Sequence, residues 1–532
     1  MRRIGCLLLL CSLLTGMLCG CSGSIPEKLR SIFVTDEIQT EDPNVQPQDT
    51  TVPVALQAKE ERTSFGLCYQ KQFGLHPYHC MSLNNRMVLS FLYESLFVAD
   101  EQFLAKPVLA ESYSVSEDGF TTVIKLKPGI HFHSGKTLTA QDAAYSISSS
   151  MGTEYYKNRL RNVSKVEAVD ELTLNVTCIQ SYECLPLLLD MPVIPDGSVE
   201  DAVPDGTGPY VFSSDEALTR FDGWWQEDAL VSAEQIPLSS AGAAVDVRDQ
   251  FEYSNVNMVL TDPNSSAYAS FHNDYELWTA NTTEMQYIGY NLNSKVFSNY
   301  GLRSAITYAV DRESLVTEQA NGFAVPAVLP CCPSSPMYDY KLANAYDYST
   351  EDYWKQLESA GVHDMDGDGT LDLYVQSLGY AVPVSGKMIV CSNSYQRVNV
   401  ATAIVDKLNA LGFDITLETM DLEEYQTALL YGNFDLYFGE VRLSPNFDLS
   451  PFFTLYGALA YGDLADSTML NLCNMMLLNS GNSYSLYKRL CSRGYLTPVL
   501  FKVNALYTTR GSIKEPAQYL DWFVPIEKPA EQ

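Results

Sequence analysis

The chain has 532 residues, 46% hydrophobic and 19% charged, which is length enough for more than one core and the makeup of a soluble globular protein. A formal net charge of −31 and a pI near 4.5 argue against nucleic acid as a partner, because that partner rewards basic surfaces. None of the 13 cysteines forms a Cys-x-x-Cys pair, so a zinc ribbon or thioredoxin-like site is disfavoured.

Arg2 and Arg3 precede a mostly apolar run over 4–17, which reads as a secretion signal too short for a comfortable membrane span. It ends in Leu18-Cys19-Gly20-Cys21, which resembles a bacterial lipobox. That implies cleavage before Cys21 and a lipid on its sulfur. Residues 22–60 are polar and acidic, carry Pro43, Pro47 and Pro53, and read as a flexible tether. No later stretch is apolar enough to span a bilayer. Nine cysteines remain in the body, and an odd number cannot all pair within one chain. Cys68–Cys80 and Cys178–Cys184 are close enough in sequence to invite bridges.

The folded body is expected from Ser64, with a first strand over 65–69 and helical spacing of Met87, Phe91 and Leu92 over 84–97. Glu117-Asp118-Gly119 is a hairpin turn, after which Thr121 to Leu126 alternates as a half-buried strand. Lys127-Pro128-Gly129 breaks that strand, and Thr139 is placed to cap a helix from Ala140. A second hairpin is expected over 166–176, around Asp170-Glu171. Asp205-Gly206-Thr207-Gly208-Pro209 lacks the Lys-Ser/Thr of a phosphate loop and reads as structural. A helix through Ile306 and Tyr308 follows, and Asp311 caps the next helix.

Asp364-x-Asp366-x-Asp368-Gly369 looks like half of a calcium loop, but Val375 stands where the bidentate acid is expected, so no metal is assigned. The two histidines His76 and His79 lack a third ligand nearby. Strands over 387–391, 415–417 and 434–439 alternate with helices over 399–411 and 422–430, the pattern of an α/β lobe.

An ordered series of motifs carries a resemblance. Tyr93-Glu94-x-Leu96 is followed by Pro107-x-Leu109-Ala110-Glu111-Ser112 and then Ser116-Glu117-Asp118-Gly119. Lys127-x-Gly129, Phe132-His133-x-Gly135 and Leu138-Thr139-Ala140-x-Asp142 come next. Together with Gly206-Thr207-Gly208-Pro209-Tyr210 and the block over 297–312, this is similar to the peptide- and nickel-binding family of extracellular solute-binding proteins, the receptors of ABC importers. The resemblance covers roughly 64–503 and implies strands over 220–225 and 287–291 and a closing strand over 495–503. It implies an α/β, two-lobed periplasmic-binding-protein-like fold with a hinge and a small inserted domain in the first lobe. The expected division is 1–20 signal, 21–60 tether, 61–85 with 206–283 and 505–530 as lobe I, 86–205 inserted domain, and 284–504 lobe II. Hinge motion is expected at chain crossings near 205–208 and 281–291.

The function it implies is capture of a small peptide-like or zwitterionic solute, with no cofactor, by a lipid-anchored monomer on the outer face of the cytoplasmic membrane that delivers to permease subunits. In dipeptide carriers an Arg near Arg397 meets the ligand carboxylate, and an acid after a strand like 434–439 meets its amine. Here Glu440 or Asp448 is expected to supply that acid, and Arg442 would suit a carboxylate. Asn291 and Tyr461 complete the expected cleft. The alternatives are a secreted hydrolase of peptide or sugar, or a peptide sensor without transport. The enzyme reading lacks Gly-x-Ser-x-Gly, His-Glu-x-x-His and GxGxxG signatures.

Overall fold

The computed structural model describes residues 66–182, 184–226, 233–265, 271–513, 517–520 and 522–524. The expected signal, Cys21, the tether and the start at Ser64 lie outside them. Among the described residues, no helix is long and apolar enough to cross a membrane.

One eleven-stranded sheet runs through the molecule. From one edge its order is Asp414–Met420, Ser385–Cys391, Leu436–Arg442, Tyr275–Tyr290, Leu496–Thr509, Met258–Thr261, Leu67–Tyr69, Gln235–Ser240, Ala217–Arg220 and Tyr210–Ser214. Ala324–Pro326 is added to Leu496–Thr509. Two of these strands are far longer than the rest and hold both halves together. The first half of Tyr275–Tyr290 pairs with 503–509, beside Met258–Thr261. Its second half pairs with Leu436–Arg442 on one side and 496–501 on the other. Between the halves the register jumps from Asn281↔Val503 to Met285↔Phe501. Four steps on one strand oppose two on the other, so the bulge re-aims the side chains of Thr282, Thr283 and Glu284.

The half of the sheet ending at Asp414–Met420 is built as parallel crossovers. Ser385–Cys391 pairs parallel with both Asp414–Met420 and Leu436–Arg442, which obliges the intervening chain to cross over as the helices Tyr395–Ala410 and Leu422–Tyr431. Each helix starts on a side-chain cap, Ser394 accepting from the Arg397 N–H and Asp421 from the Glu424 N–H. Every residue of Leu496–Thr509 is buried, as expected of a strand covered on both faces. Its polar members Lys502 and Asn504 are therefore buried too.

The chain over 105–200 makes a separate antiparallel sheet in the order Ala110–Val115, Thr121–Leu126, Thr173–Cys178, Val163–Ala168, with helix Ala140–Ser150 on it. At that helix start the Asp142 carboxylate accepts from both the N–H and the hydroxyl of Thr139, at 3.0 and 2.7 Å. Gly206 and Gly208 return the chain against the end of helix Leu83–Leu92. A Cβ at Gly206 would lie 1.9 Å from the Leu92 carbonyl oxygen, so the loop is a packing feature. The helix stops at Leu92, short of the expected 97, because Tyr93 is extended (φ −127, ψ 148) and Glu94 turns into a cage of Thr207, Trp224, Trp225 and Gln226. Cys68 and Cys178 are buried thiols, so neither suggested bridge is formed.

Candidate functional site

The strand bulge and the parallel crossovers deliver charged side chains to one place. In the antiparallel pair of Tyr275–Tyr290 with Leu436–Arg442, Glu284 lies opposite Arg442 and Gln286 opposite Glu440, so all four side chains share one face. The first turn of helix Tyr395–Ala410 brings Gln396 and Arg397 over that face. Lys502 joins from the neighbouring strand, and Asp262 from the end of Met258–Thr261.

These groups pair almost completely. An Arg397 Nη donates to Glu440 Oε1 and the other to Asn393 Oδ1 at 3.0 Å, while Gln286 donates to Glu440 Oε2 at 2.7 Å and links to Gln396. Arg442 bonds Glu284 Oε1 through one Nη and the Tyr155 hydroxyl through the other at 2.8 Å. Lys502 Nζ lies 2.8 Å from Asp262, 3.3 Å from Glu284 and 3.9 Å from Glu440. Arg397, Glu440 and Lys502 are each 4–5% exposed. Burial pushes the Glu284 carboxyl up, but the charges of Lys502 and Arg442 outweigh it and hold it at about 2, against an ordinary 4.5. Burial pulls the Arg397 guanidinium down, and the Glu440 carboxylate more than reverses this. Among the described residues, one polar atom of the group is left over, the Arg397 Nε, which is buried with no partner there.

A second set of contacts closes over this face. The loop after Leu436–Arg442 touches the 97–182 region through Asp448 with Arg161, Asn446 with the Tyr182 hydroxyl, and Phe447 with Phe103, ring centroids 4.9 Å apart. Tyr155 is the hub on that side. Its ring has the guanidinium carbons of Arg86, Arg159 and Arg442 within 4.9, 5.2 and 5.3 Å of its centroid, and its hydroxyl accepts from Arg86 at 2.7 Å.

Of the residues singled out in the sequence, Arg397, Glu440 and Arg442 come together here, and Asp448 sits in the closing contacts. Arg397 and Glu440 are each other's partners. Asn291 and Tyr461, the other two residues of the expected cleft, stand apart from this cluster. Asn291 lies seven residues beyond Glu284 along an extended strand, roughly 20 Å away at about 3.3 Å per residue. Its amide donates to the carbonyls of Gly432 and Phe434 at 3.1 and 2.9 Å, which ties the end of Tyr275–Tyr290 to the chain just before Leu436–Arg442. Tyr461 is buried beside it, edge-on to Tyr437 at 6.0 Å. Glu284, Lys502, Asp262 and Tyr155 escaped the sequence reading. Lys502 did leave a signal, a lone cation in the apolar run Val499-Leu500-Phe501-Lys502-Val503.

The acidic loop over 364–372 brings the carboxylates of Asp364, Asp366 and Asp372 within 4.8 Å of one another. Asp364 accepts the N–H of Gly367 and Gly369, and Asp372 that of Met365, so these oxygens serve the turn itself.

Residues 105–462 match the model of the bacterial extracellular solute-binding proteins, family 5 Middle. The glutathione-binding protein GsiB of Escherichia coli K12 is 27% identical over 278 residues, 49% of this chain and 54% of that protein. The GsiB of Salmonella paratyphi A is 26% identical over 299 residues, 53% and 57% of the two chains. The chain thus spans about half the length of the curated relatives it matches. Among solved structures, NikA from Brucella suis in complex with Fe(III)-EDTA superposes with a TM-score of 0.67 at 16% identity, covering 87% of this chain and all of that one. The substrate-binding protein CtaP from Listeria monocytogenes gives 0.68 at 17%, covering 85% and 95%. The fold is accordingly the two-lobed, periplasmic-binding-protein-like α/β fold.

Proposed function

The chain belongs to the bacterial extracellular solute-binding proteins of family 5, and from that premise we propose that it is the receptor of an ABC importer, capturing a small peptide-like or zwitterionic solute between its lobes and delivering it to a membrane permease. It binds rather than catalyses, acts as a monomer outside the cytoplasm, and is held to the membrane by a lipid on Cys21. Lobe boundaries follow the division given from the sequence, with the hinge at the bulge over 281–285.

The observation that carries the reading is the balanced charge set at the lobe crossing: Arg397, Arg442 and Lys502 against Asp262, Glu284 and Glu440. A balanced buried set favours a solute with no net charge, because any excess charge would enter without a counter-ion. A zwitterion suits it in a further way. Opening the Arg397–Glu440 pair presents one cation and one anion. The solute carboxylate on Arg397 and its ammonium on Glu440 would leave every charge partnered, and the Arg397 Nε would gain an acceptor. Asp448 and Arg442, through Arg161 and Tyr155, then report closure of the lobes.

The experiment is mass spectrometry of what the purified, denatured protein releases, followed by calorimetry of the emptied protein with that compound and with a panel of dipeptides. A released zwitterion that rebinds at one site per chain is the expected result. A cationic or uncharged sugar-like solute would overturn the reading.

A further inference from the structure

We infer that Lys502 sets the charge selectivity of the cleft: it is an ammonium built into the floor, and its presence shuts out solutes that carry an excess positive charge, polyamines and cationic peptides among them. The inference rests on the placement of the solute site proposed above.

The geometry is that of an occupied ammonium site. Three carboxylates from three separate elements converge on one Nζ: Asp262 from the end of Met258–Thr261, Glu284 from the bulge, and Glu440 from Leu436–Arg442, at 2.8, 3.3 and 3.9 Å. The bulge holds this arrangement. The Thr282 hydroxyl donates to the Lys502 carbonyl at 2.8 Å and accepts the Glu284 N–H at 3.0 Å, so the backbones of Lys502 and Glu284 are tied to each other through one residue. Lys502 is itself buried within a strand buried along its whole length, where a solvated cation has no place unless acids demand it.

Counting charges gives the selectivity. With Lys502 present, three cations answer three acids, and an additional ammonium finds no carboxylate left to neutralise it in a buried site. Long-range attraction would work the other way, because a chain with a net charge of −31 draws cations toward its surface. Discrimination against them must therefore be local, and Lys502 supplies it. Without Lys502 the same walls would hold three carboxylates against two guanidinium groups, a vacancy of the right sign and shape for an alkylammonium.

The test uses ethylammonium and putrescine as probes, each against sodium chloride of matched ionic strength, with thermal unfolding and calorimetry as readouts. The parent is expected to show no saturable response. Lys502→Ala, which vacates both the stem and the ammonium, should acquire one, with apparent affinity for the amine at least tenfold above any the parent shows. The double variant Lys502→Ala with Glu284→Gln restores the charge balance and should lose the response again. An amine response in Lys502→Ala no larger than the parent's, or an equal response in the double variant, overturns the inference. Should Lys502→Ala fail to fold alone, its refolding yield with and without ethylammonium decides the same point: a yield that rises saturably supports it, and a flat yield overturns it. Failure of the parent to bind any dipeptide would count against the proposed solute class and leave the amine response to judge Lys502 separately.

Discussion

The Tyr155 hydroxyl lies 2.8 Å from Nη1 of Arg442, although the two residues stand 287 positions apart in the chain. Arg442 also holds Glu284, so this single guanidinium connects the contacts around Tyr155 to the buried charge set. On the proposed function, closure and solute capture would be coupled through this one side chain.

Tyr155→Phe keeps the ring and its three guanidinium neighbours but removes the acceptor shared by Arg86 and Arg442. Bonds to charged groups contribute about 1.5–3 kcal/mol. The variant is expected to fold normally and to bind its solute about tenfold more weakly. Solution scattering should show less compaction at equal solute concentration. Unchanged affinity and compaction would remove Tyr155 from the closing contact.

Breaking the buried pair should cost stability as well as binding. Arg397→Ala leaves Glu440 with Gln286 and a distant Lys502, and Glu440→Ala leaves Arg397 with only Asn393. Loss of one partner of a buried pair costs about 3–5 kcal/mol. Denaturant unfolding should show each single variant strongly destabilised, and the double variant less so than the sum of the two. Additive losses would mean that the two do not act as a pair.

Two carboxyls give stability opposite dependences on pH. Glu284 is held at about 2 in the folded protein against 4.5 ordinarily, so its contribution is complete above about 4.5 and is lost as pH falls toward 2. Glu94 goes the other way. Its carboxylate is enclosed by Thr207, Trp224, Trp225 and Gln226, and burial, only partly offset by their hydrogen bonds, raises it to about 7 from 4.5. The folded state binds its proton more tightly than the unfolded chain does, so stability is greatest below about 4.5 and falls as pH rises through 7, by up to about 3 kcal/mol. Glu94→Gln should flatten the stability profile between pH 5 and about 7 while leaving the acid limb due to Glu284 in place. A variant profile parallel to the parent's would contradict this assignment.

The anchor is tested apart from the fold. Cys21→Ser should move the protein from the membrane fraction to the soluble fraction. Full retention on membranes would refute a lipid on Cys21.

Much of the architecture was legible because local signals agreed. The turn at Glu117-Asp118-Gly119, the Thr139 cap and the alternation of strands with helices after 385 each follow from residue chemistry that does not depend on distant contacts. Arg397, Glu440 and Arg442 come together because they stand at a helix start and on one face of a neighbouring strand. The rest depended on tertiary detail. Glu284 faces the floor because of a bulge that no alternation pattern announces, and Asp262 and Tyr155 arrive from chain far away. Asn291 stands apart from the charge cluster because Tyr275–Tyr290 runs for 16 residues and carries its end away from Glu284. The helix expected to 97 ended early because Glu94 is drawn into a cage assembled from residues more than a hundred positions on.

The most direct measurement is calorimetric titration of the emptied parent, Arg397→Ala and Glu440→Ala with the compound recovered from the purified protein. The account predicts one binding site per parent chain and, in each variant, a loss of roughly 2–5 kcal/mol, more than about tenfold in affinity. Two variants that fold and bind like the parent would show that the Arg397–Glu440 pair never opens to admit the solute.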